Sequence, residues 1–234
     1  MSFYRFAPSP PAAVPIVGIS GSYPIHRIFC VGRNYDAHAA EMGAARADRD
    51  APFYFTKSAS TYAPSGSSVP YPPGTSNYHH EIELVVAIGA PAFGVSPAHA
   101  RDFVFGYACG LDMTRRDLQL TAREQRRPWD LGKDFENSAV LSPIEPAERV
   151  GHPSSGAIEL RVNGAVRQRS DLAQMIHSVP ALIADLTRFY HLQPGDLIFT
   201  GTPEGVGPVQ PGDRLEGSIA GVGSIELQVT SPAG

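Results

Sequence analysis

A β-dominated α+β fold is what this sequence predicts, on three observations. Its 23 Gly and 22 Pro are spread along the whole chain, which favours many turns joining short strands. Apolar and β-branched residues come in short runs rather than long helical stripes. Only two segments carry helical signals.

Taken in order, the strand candidates are 25–31, 52–55, 82–88, 103–110, 158–162, 196–200 and 225–229. The first helix candidate is 35–42, which is Ala-rich. The second, 171–190, repeats Leu172, Met175, Ile176, Val179, Leu182, Ile183 and Leu186 at helical spacing, and Pro180 should kink or divide it. Between RV and AVRQ, Asn163-Gly164 predicts a two-residue hairpin, because a type I′ turn needs positive φ at both central positions. There is no internal repeat and no low-complexity tract. The expected organisation is an N-terminal arm or first strands over 1–24, followed by one domain over 25–234.

Composition narrows the function. The chain has 234 residues, 42% of them hydrophobic and 18% charged, which is ordinary globular usage. A formal net charge of -4 gives no electrostatic footprint for nucleic acid and leaves a small molecule as the expected partner. Cys30 and Cys109 lie far apart with no zinc-finger spacing, so reduced core thiols are expected. Pro8, Pro10, Pro11 and Pro15 interrupt the N-terminal segment, and no run reaches the length of a membrane span. A cytoplasmic, membrane-free protein is the expectation.

The chemistry-bearing residues start with HHEIELVVAIG. Glu81 and Glu83 head an apolar strand, and the period of two puts both carboxylates on one face. Beside a core strand such a pair calls for a cation, and Asp112, ending the run FVFGYACGLDM, offers a third hard oxygen ligand suited to Mg²⁺ or Mn²⁺. The spacing alone equally fits an exposed Glu-x-Glu strand. His79 and His80 offer either a softer zinc or iron site or hydrogen bonds that orient the loop and the carboxylates.

His38 and Glu41 lie three apart on the first helix candidate, where a carboxylate can orient an imidazole as general base, or where the two form a plain solvated pair. Arg33 is a candidate clamp for a substrate carboxylate, and Lys133, placed in a loop, a candidate for oxyanion stabilisation; isolated arginines and lysines more often do neither. FTGTPEGVGPV lacks the Gly-Lys-Ser/Thr ending of a P-loop. Its N–H groups and the Thr202 hydroxyl can hold a carboxylate, or the segment is simply a tight turn.

Read together, VGRNYDAHAAEMG, HHEIELVVAIG, GYACGLDMTRRDLQ, WDLGKDF and FTGTPEGVGPV resemble, in this order, the signature blocks of the fumarylacetoacetate hydrolase family over roughly 25–230. The likeness leans to the branch that cleaves acylpyruvates. It implies a mixed β-sheet roll with few short helices, usually a homodimer, with one Mg²⁺ or Mn²⁺ per chain on Glu81, Glu83 and Asp112. It assigns water activation to His38 and Glu41 and oxyanion stabilisation to Lys133. Arg33, Arg116, Gln119 and Thr202 match substrate-contacting positions, and 34–50 matches a lid. Ser58 stands where related sequences often have proline.

The implied reaction is hydrolysis of a C–C bond in a 2,4-dioxo acid, with fumarylpyruvate as the expected substrate and aromatic catabolism as its setting. Arg33, Lys57 and Arg115 are the spare cations for its second carboxylate. The same scaffold also fits decarboxylation or tautomerisation of a dioxo acid such as oxaloacetate, or a noncatalytic small-acid-binding protein.

Overall fold

The computed structural model describes residues 4–41 and 51–232. Met42, at the end of the first helix candidate, and 42–50 of the expected lid lie outside the described residues, as do 1–3 and 233–234 of the expected arm and domain.

The central sheet is mixed. Its strands run in the order Tyr54–Lys57, Ile28–Val31, Leu197–Phe199, Ile82–Ile88, Val104–Asp112, Ala139–Leu141 and Tyr62–Pro64, with Glu145–Pro146 also pairing against Val104–Asp112. Two joints are parallel, Leu197–Phe199 with Ile28–Val31 and Ala139–Leu141 with Tyr62–Pro64. A second sheet of five strands runs Ala165–Asp171, Ala157–Val162, Arg214–Ile219, Gly223–Thr230 and Ser67–Pro70. A small third sheet joins Thr114–Arg115, Tyr78–His80 and Gly207–Pro208. Described helices are short, the longest being Arg116–Glu124. The whole is a β-dominated roll of mixed sheets, as the sequence predicts.

Ile82–Ile88 shows why the core forms here. Every residue in it is buried, the signature of a strand covered on both faces. Ile82, Leu84, Val86 and Ile88 point into one apolar cluster with Ile158, Leu160, Leu215, Ile225 and Leu227. Val85 and Ala87 point into the other, with Ile28, Cys30, Leu141 and Phe199. Each fully buried Val, Leu or Ile side chain stabilises the fold by about 1.5–3 kcal/mol. A one-residue slip would exchange the two faces and drive Glu83 into the larger apolar cluster, so register is strongly specified.

The predicted hairpin forms, with Asn163 at φ 51 and Gly164 at φ 78 and Val162 paired to Ala165. The second predicted helix does not run over 171–190. Strand continues to Asp171, a single 3₁₀ turn covers Leu172–Gln174, and the helix is only Val179–Leu186. Ser178 Oγ accepts the Ala181 N–H as N-cap, and Pro180 lies in the first turn, where its missing N–H has no helical partner to lose. The apolar spacing ran through this break because Leu172 and Met175 also face the core, from non-helical backbone.

Near the N-terminus, Ala13–Pro15 pairs with Ser22–Pro24, and Val14 is wholly buried in the smaller cluster. Ser58 has φ -67, a value proline would share. It uses the N–H that proline lacks: its backbone N and its hydroxyl donate to the two Asp134 oxygens, each at 2.8 Å.

Candidate active site

The register between Ile82–Ile88 and Val104–Asp112 builds the carboxylate cluster. Ile82 faces Leu111 and Glu83 faces Gly110, so continuing the pairing sets Glu81 opposite Asp112, whose N–H donates to the Glu81 carbonyl at 2.9 Å. Opposed residues of an antiparallel pair share a face, and Glu83 joins them two positions along. One oxygen from each of Glu81, Glu83 and Asp112 lies within 4.8 Å of the others, and all three side chains are buried.

Cations surround two of the three. Lys133 Nζ donates to Glu81 Oε2 at 2.8 Å, Asp112 Oδ2 at 2.7 Å and Thr114 Oγ1 at 2.7 Å. Arg116 donates to Glu81 Oε1 and to Gln119 Oε1. Lys57 Nζ donates to the Met113 carbonyl at 3.3 Å, to the Lys133 carbonyl and to Ser138 Oγ at 3.0 Å. Lys57 Nζ also forms a buried ion pair with Asp112 Oδ1 at 2.9 Å, although that oxygen accepts no hydrogen bond while the three N–H groups are directed at those other acceptors.

Glu83 has no cationic partner among the described residues; its Oε2 accepts the Gly201 N–H at 2.7 Å. Burial, reinforced by the like charges of Asp112 and Glu81, pushes its carboxyl well above the usual range. Burial opposes the charge of Glu81 too, but Lys133 and Arg116 outweigh it and hold that carboxyl well below. For Lys133, burial works against the ammonium, and Asp112 and Glu81 more than offset it. A buried Asp112 oxygen that accepts no hydrogen bond, a Glu83 with no ion-pair partner among the described residues and oxygen-only donors fit a hard divalent cation.

The helix Asp36–Glu41 brings up the imidazole. His38 is buried, and its Nδ1 lies 3.2 Å from Glu41 Oε2. The His38 hydrogen bond is the main cause holding the Glu41 carboxyl below its ordinary value. Glu41 also accepts the Gly205 N–H at 3.2 Å. Gly205 has φ 89, and a Cβ there would meet the Arg167 carbonyl at 2.1 Å, so only glycine presents that N–H. His38, Glu81, Arg116, Gln119, Lys133 and Arg33 line one cleft.

The glycine-rich segment is pinned from two sides. Asn34, fully buried, donates to the Thr200 carbonyl at 2.8 Å and the His177 carbonyl at 2.9 Å, and accepts the His177 N–H at 2.6 Å. Gly201 has φ 96, with room for no Cβ against Asn34. Buried Gln168 donates to Thr202 Oγ1 and the Pro203 carbonyl, each at 2.8 Å. Thr202 Oγ1 donates to the Ile82 carbonyl at 2.8 Å, so its hydroxyl ties the loop to the strand that carries Glu83.

Some expectations change. Lys133 ends the helical turn Asp130–Lys133 instead of sitting in a loop. Lys57 is not a spare cation, being buried and spent on backbone and Ser138. Nor is Arg115, which lies over the Phe135 ring at 4.2 Å and donates to the Leu131 carbonyl. His80 bonds Gln168 Oε1 at 3.0 Å and His79 bonds Asn77 at 2.8 Å; burial pulls His79 down to about 4, with Arg116 adding to it. Sequence reading missed Asn34, Gln168, Arg123 and Trp129. Gln168 carried a usable signal: it is the polar residue at the inward position of a strand following the Asn-Gly turn.

Residues 27–230 match the family described as fumarylacetoacetate (FAA) hydrolase C-terminal. The chain belongs to that family of metal-site β-roll proteins. A fumarylpyruvate hydrolase of a Ralstonia species is 56% identical over 177 residues, 76% of this chain and 92% of that protein. The mitochondrial oxaloacetate tautomerase of Homo sapiens is 42% identical over 205 residues, 88% and 92% respectively. The crystal structure of fumarylpyruvate hydrolase from Pseudomonas aeruginosa, in complex with Mn²⁺ and pyruvate, superposes with a TM-score of 0.95 at 49% identity, covering 98% of this chain and all of that one.

Proposed function

We propose that this chain is a divalent-metal-dependent hydrolase of acylpyruvates, with fumarylpyruvate as substrate and fumarate and pyruvate as products. The observation that carries the reading is one cleft lined by Glu81, a member of the buried carboxylate triad, and by His38, which is paired to Glu41. Likeness to a hydrolase crystallised with Mn²⁺ and pyruvate supports it.

Glu81, Glu83 and Asp112 would hold one Mn²⁺ or Mg²⁺. A cation bound there supplies Lewis acidity, polarising the 2-oxo acid end and balancing charge as the C–C bond breaks. With Nδ1–H directed at Glu41, His38 keeps its Nε2 lone pair for a water proton. The hydroxide equivalent adds to the acyl carbonyl, and the bond to the pyruvoyl CH₂ breaks with its electron pair on that carbon. The proton returns there, so one water is consumed and the two acids leave. Negative charge develops where Lys133 and Arg116 stand preorganised, with Lys133 exchanging one present acceptor for a substrate oxygen. Arg33, Arg116, Gln119 and the backbone N–H of Thr202 are the substrate contacts of this reading. The cytoplasmic homodimer and the role in aromatic catabolism belong to it as well. Two unpaired buried cysteines support a reducing compartment.

The human oxaloacetate tautomerase relative favours a second reading, proton transfer or decarboxylation on a dioxo acid. Those reactions need no attacking water. His38→Ala should therefore remove hydrolysis of fumarylpyruvate, by roughly 10²–10⁴-fold in kcat. A wild-type enzyme that turned over oxaloacetate but no acylpyruvate, with His38→Ala as active as wild type, would replace the first reading by the second. A noncatalytic role predicts no turnover of either with Mn²⁺ or Mg²⁺ present.

A further inference from the structure

The edge strand of the five-stranded sheet, Ala165–Asp171, turns one wholly buried side chain inward, that of Gln168. A β-bulge puts it there. Val162 pairs with Ala165 and Arg161 with Val166, so unbroken pairing would set Arg167 opposite the buried Leu160; instead the register shifts, Arg167 becomes the extra residue and Gln168 faces Leu160. Opposed residues share a face, so the bulge exchanges an inward arginine for an inward amide. Every hydrogen-bonding site of that amide is filled. Its Oε1 accepts the Ile82 N–H at 3.1 Å and pairs with His80 Nδ1 at 3.0 Å, while Nε2 donates to Thr202 Oγ1 and to the Pro203 carbonyl, each at 2.8 Å. Gln168 therefore grips the glycine-rich loop at Thr202 and Pro203. On one side of that grip the Gly201 N–H donates to Glu83 at 2.7 Å, and on the other the Gly205 N–H donates to Glu41 at 3.2 Å. The bulge also backs the far side of the loop, where a Cβ on Gly205 would meet the Arg167 carbonyl at 2.1 Å. A buried polar network with every member satisfied is rigid.

We infer that Gln168 is a positioning residue for the reaction: by holding Thr202 and Pro203 against the strand Ile82–Ile88, it sets one loop N–H on Glu83 and another on Glu41, and so keeps the carboxylate cluster and the His38–Glu41 pair in register. This rests on the acylpyruvate reading and adds to it a physical link between the ion site and the water-activating pair. Gln168 reaches neither ion nor substrate and acts only through the loop.

A double-mutant cycle tests the link. Gln168→Met keeps the side-chain length and removes all four hydrogen bonds. Thr202→Val keeps the Gln168 bonds to His80 and Ile82 and removes the hydroxyl shared by Gln168 and the Ile82 carbonyl. Mn²⁺ affinity is read by equilibrium dialysis, kcat and KM with fumarylpyruvate at saturating Mn²⁺, and the folded fraction by thermal unfolding. Each variant should weaken Mn²⁺ binding and lower kcat by roughly tenfold to a hundredfold, with KM within about threefold of wild type. The double variant should lose no more than about threefold beyond the worse single, where independent roles would multiply. A purely structural amide would lower the unfolding temperature and leave Mn²⁺ affinity and kcat of the folded fraction unchanged, which would overturn the proposal. A silent Thr202→Val, which would confine the effect to the strand side of Gln168, or losses that multiply would overturn it too. Should Gln168→Met not fold, Thr202→Val decides alone on the same two readouts. Failure of the acylpyruvate reading looks different: wild type would cleave no acylpyruvate, while the coupled loss of Mn²⁺ affinity in the variants would remain.

Discussion

Two buried carboxylates, Asp196 and Asp112, have opposite surroundings. Every site on Asp196 is filled: Oδ1 pairs with His26 Nδ1 and accepts from Arg27 Nε, each at 2.9 Å, and Oδ2 accepts from Arg27 Nη2 at 2.5 Å and the Gln193 N–H at 2.8 Å. That carboxylate staples the strand Ile28–Val31 to the turn before Leu197–Phe199 and has nothing left to offer. Asp112 Oδ1 has an ion-pair contact with Lys57 Nζ at 2.9 Å but accepts no hydrogen bond, and it lies beside Glu83, which has no cationic partner among the described residues. Saturation marks a structural carboxylate, and unmet acceptor capacity in a buried cluster marks one shaped for a ligand.

Substitutions can break this contrast. The largest effect should come from Lys133→Met, which removes the donor to Glu81, Asp112 and Thr114 and should lower kcat by roughly 10²–10³-fold. Loss of stability alone, with normal turnover of the folded fraction, would deny Lys133 its catalytic place. Asp196→Ala should do the reverse, costing about 1–3 kcal/mol in denaturant unfolding because the Gln193 N–H and the partly exposed Arg27 and His26 lose their shared acceptor. Mn²⁺ affinity and kcat of the remaining folded protein should stay as in wild type; a parallel loss of both would merge the two regions. His26→Ala is the smallest, under about 1 kcal/mol, since the His26 side chain is half exposed and three donors to Asp196 remain. A cost equal to that of Asp196→Ala would show that His26 dominates the staple.

The sequence made the central strands legible because both faces of Ile82–Ile88 are covered, and the whole run is apolar apart from Glu83. The Asn-Gly turn was legible for the positive φ it requires. Helical spacing misled over 171–190, since a core-facing 3₁₀ turn and a later helix present the same apolar positions. At the site, two carboxylates one residue apart on a strand gave a shared face, but only cross-strand register brings Asp112 opposite Glu81. Asn34 and Gln168 stayed hidden because their partners lie far along the chain, where local pattern carries no signal.

The central claim is that Glu81, Glu83 and Asp112 bind the ion on which hydrolysis depends. Equilibrium dialysis of Mn²⁺ against wild type and Glu83→Gln, with fumarylpyruvate turnover followed on the same samples, tests it most directly. The account predicts one Mn²⁺ per wild-type chain, weakened binding in the variant, and hydrolysis that falls in step with occupancy. A Glu83→Gln enzyme with full Mn²⁺ affinity and wild-type turnover would contradict it.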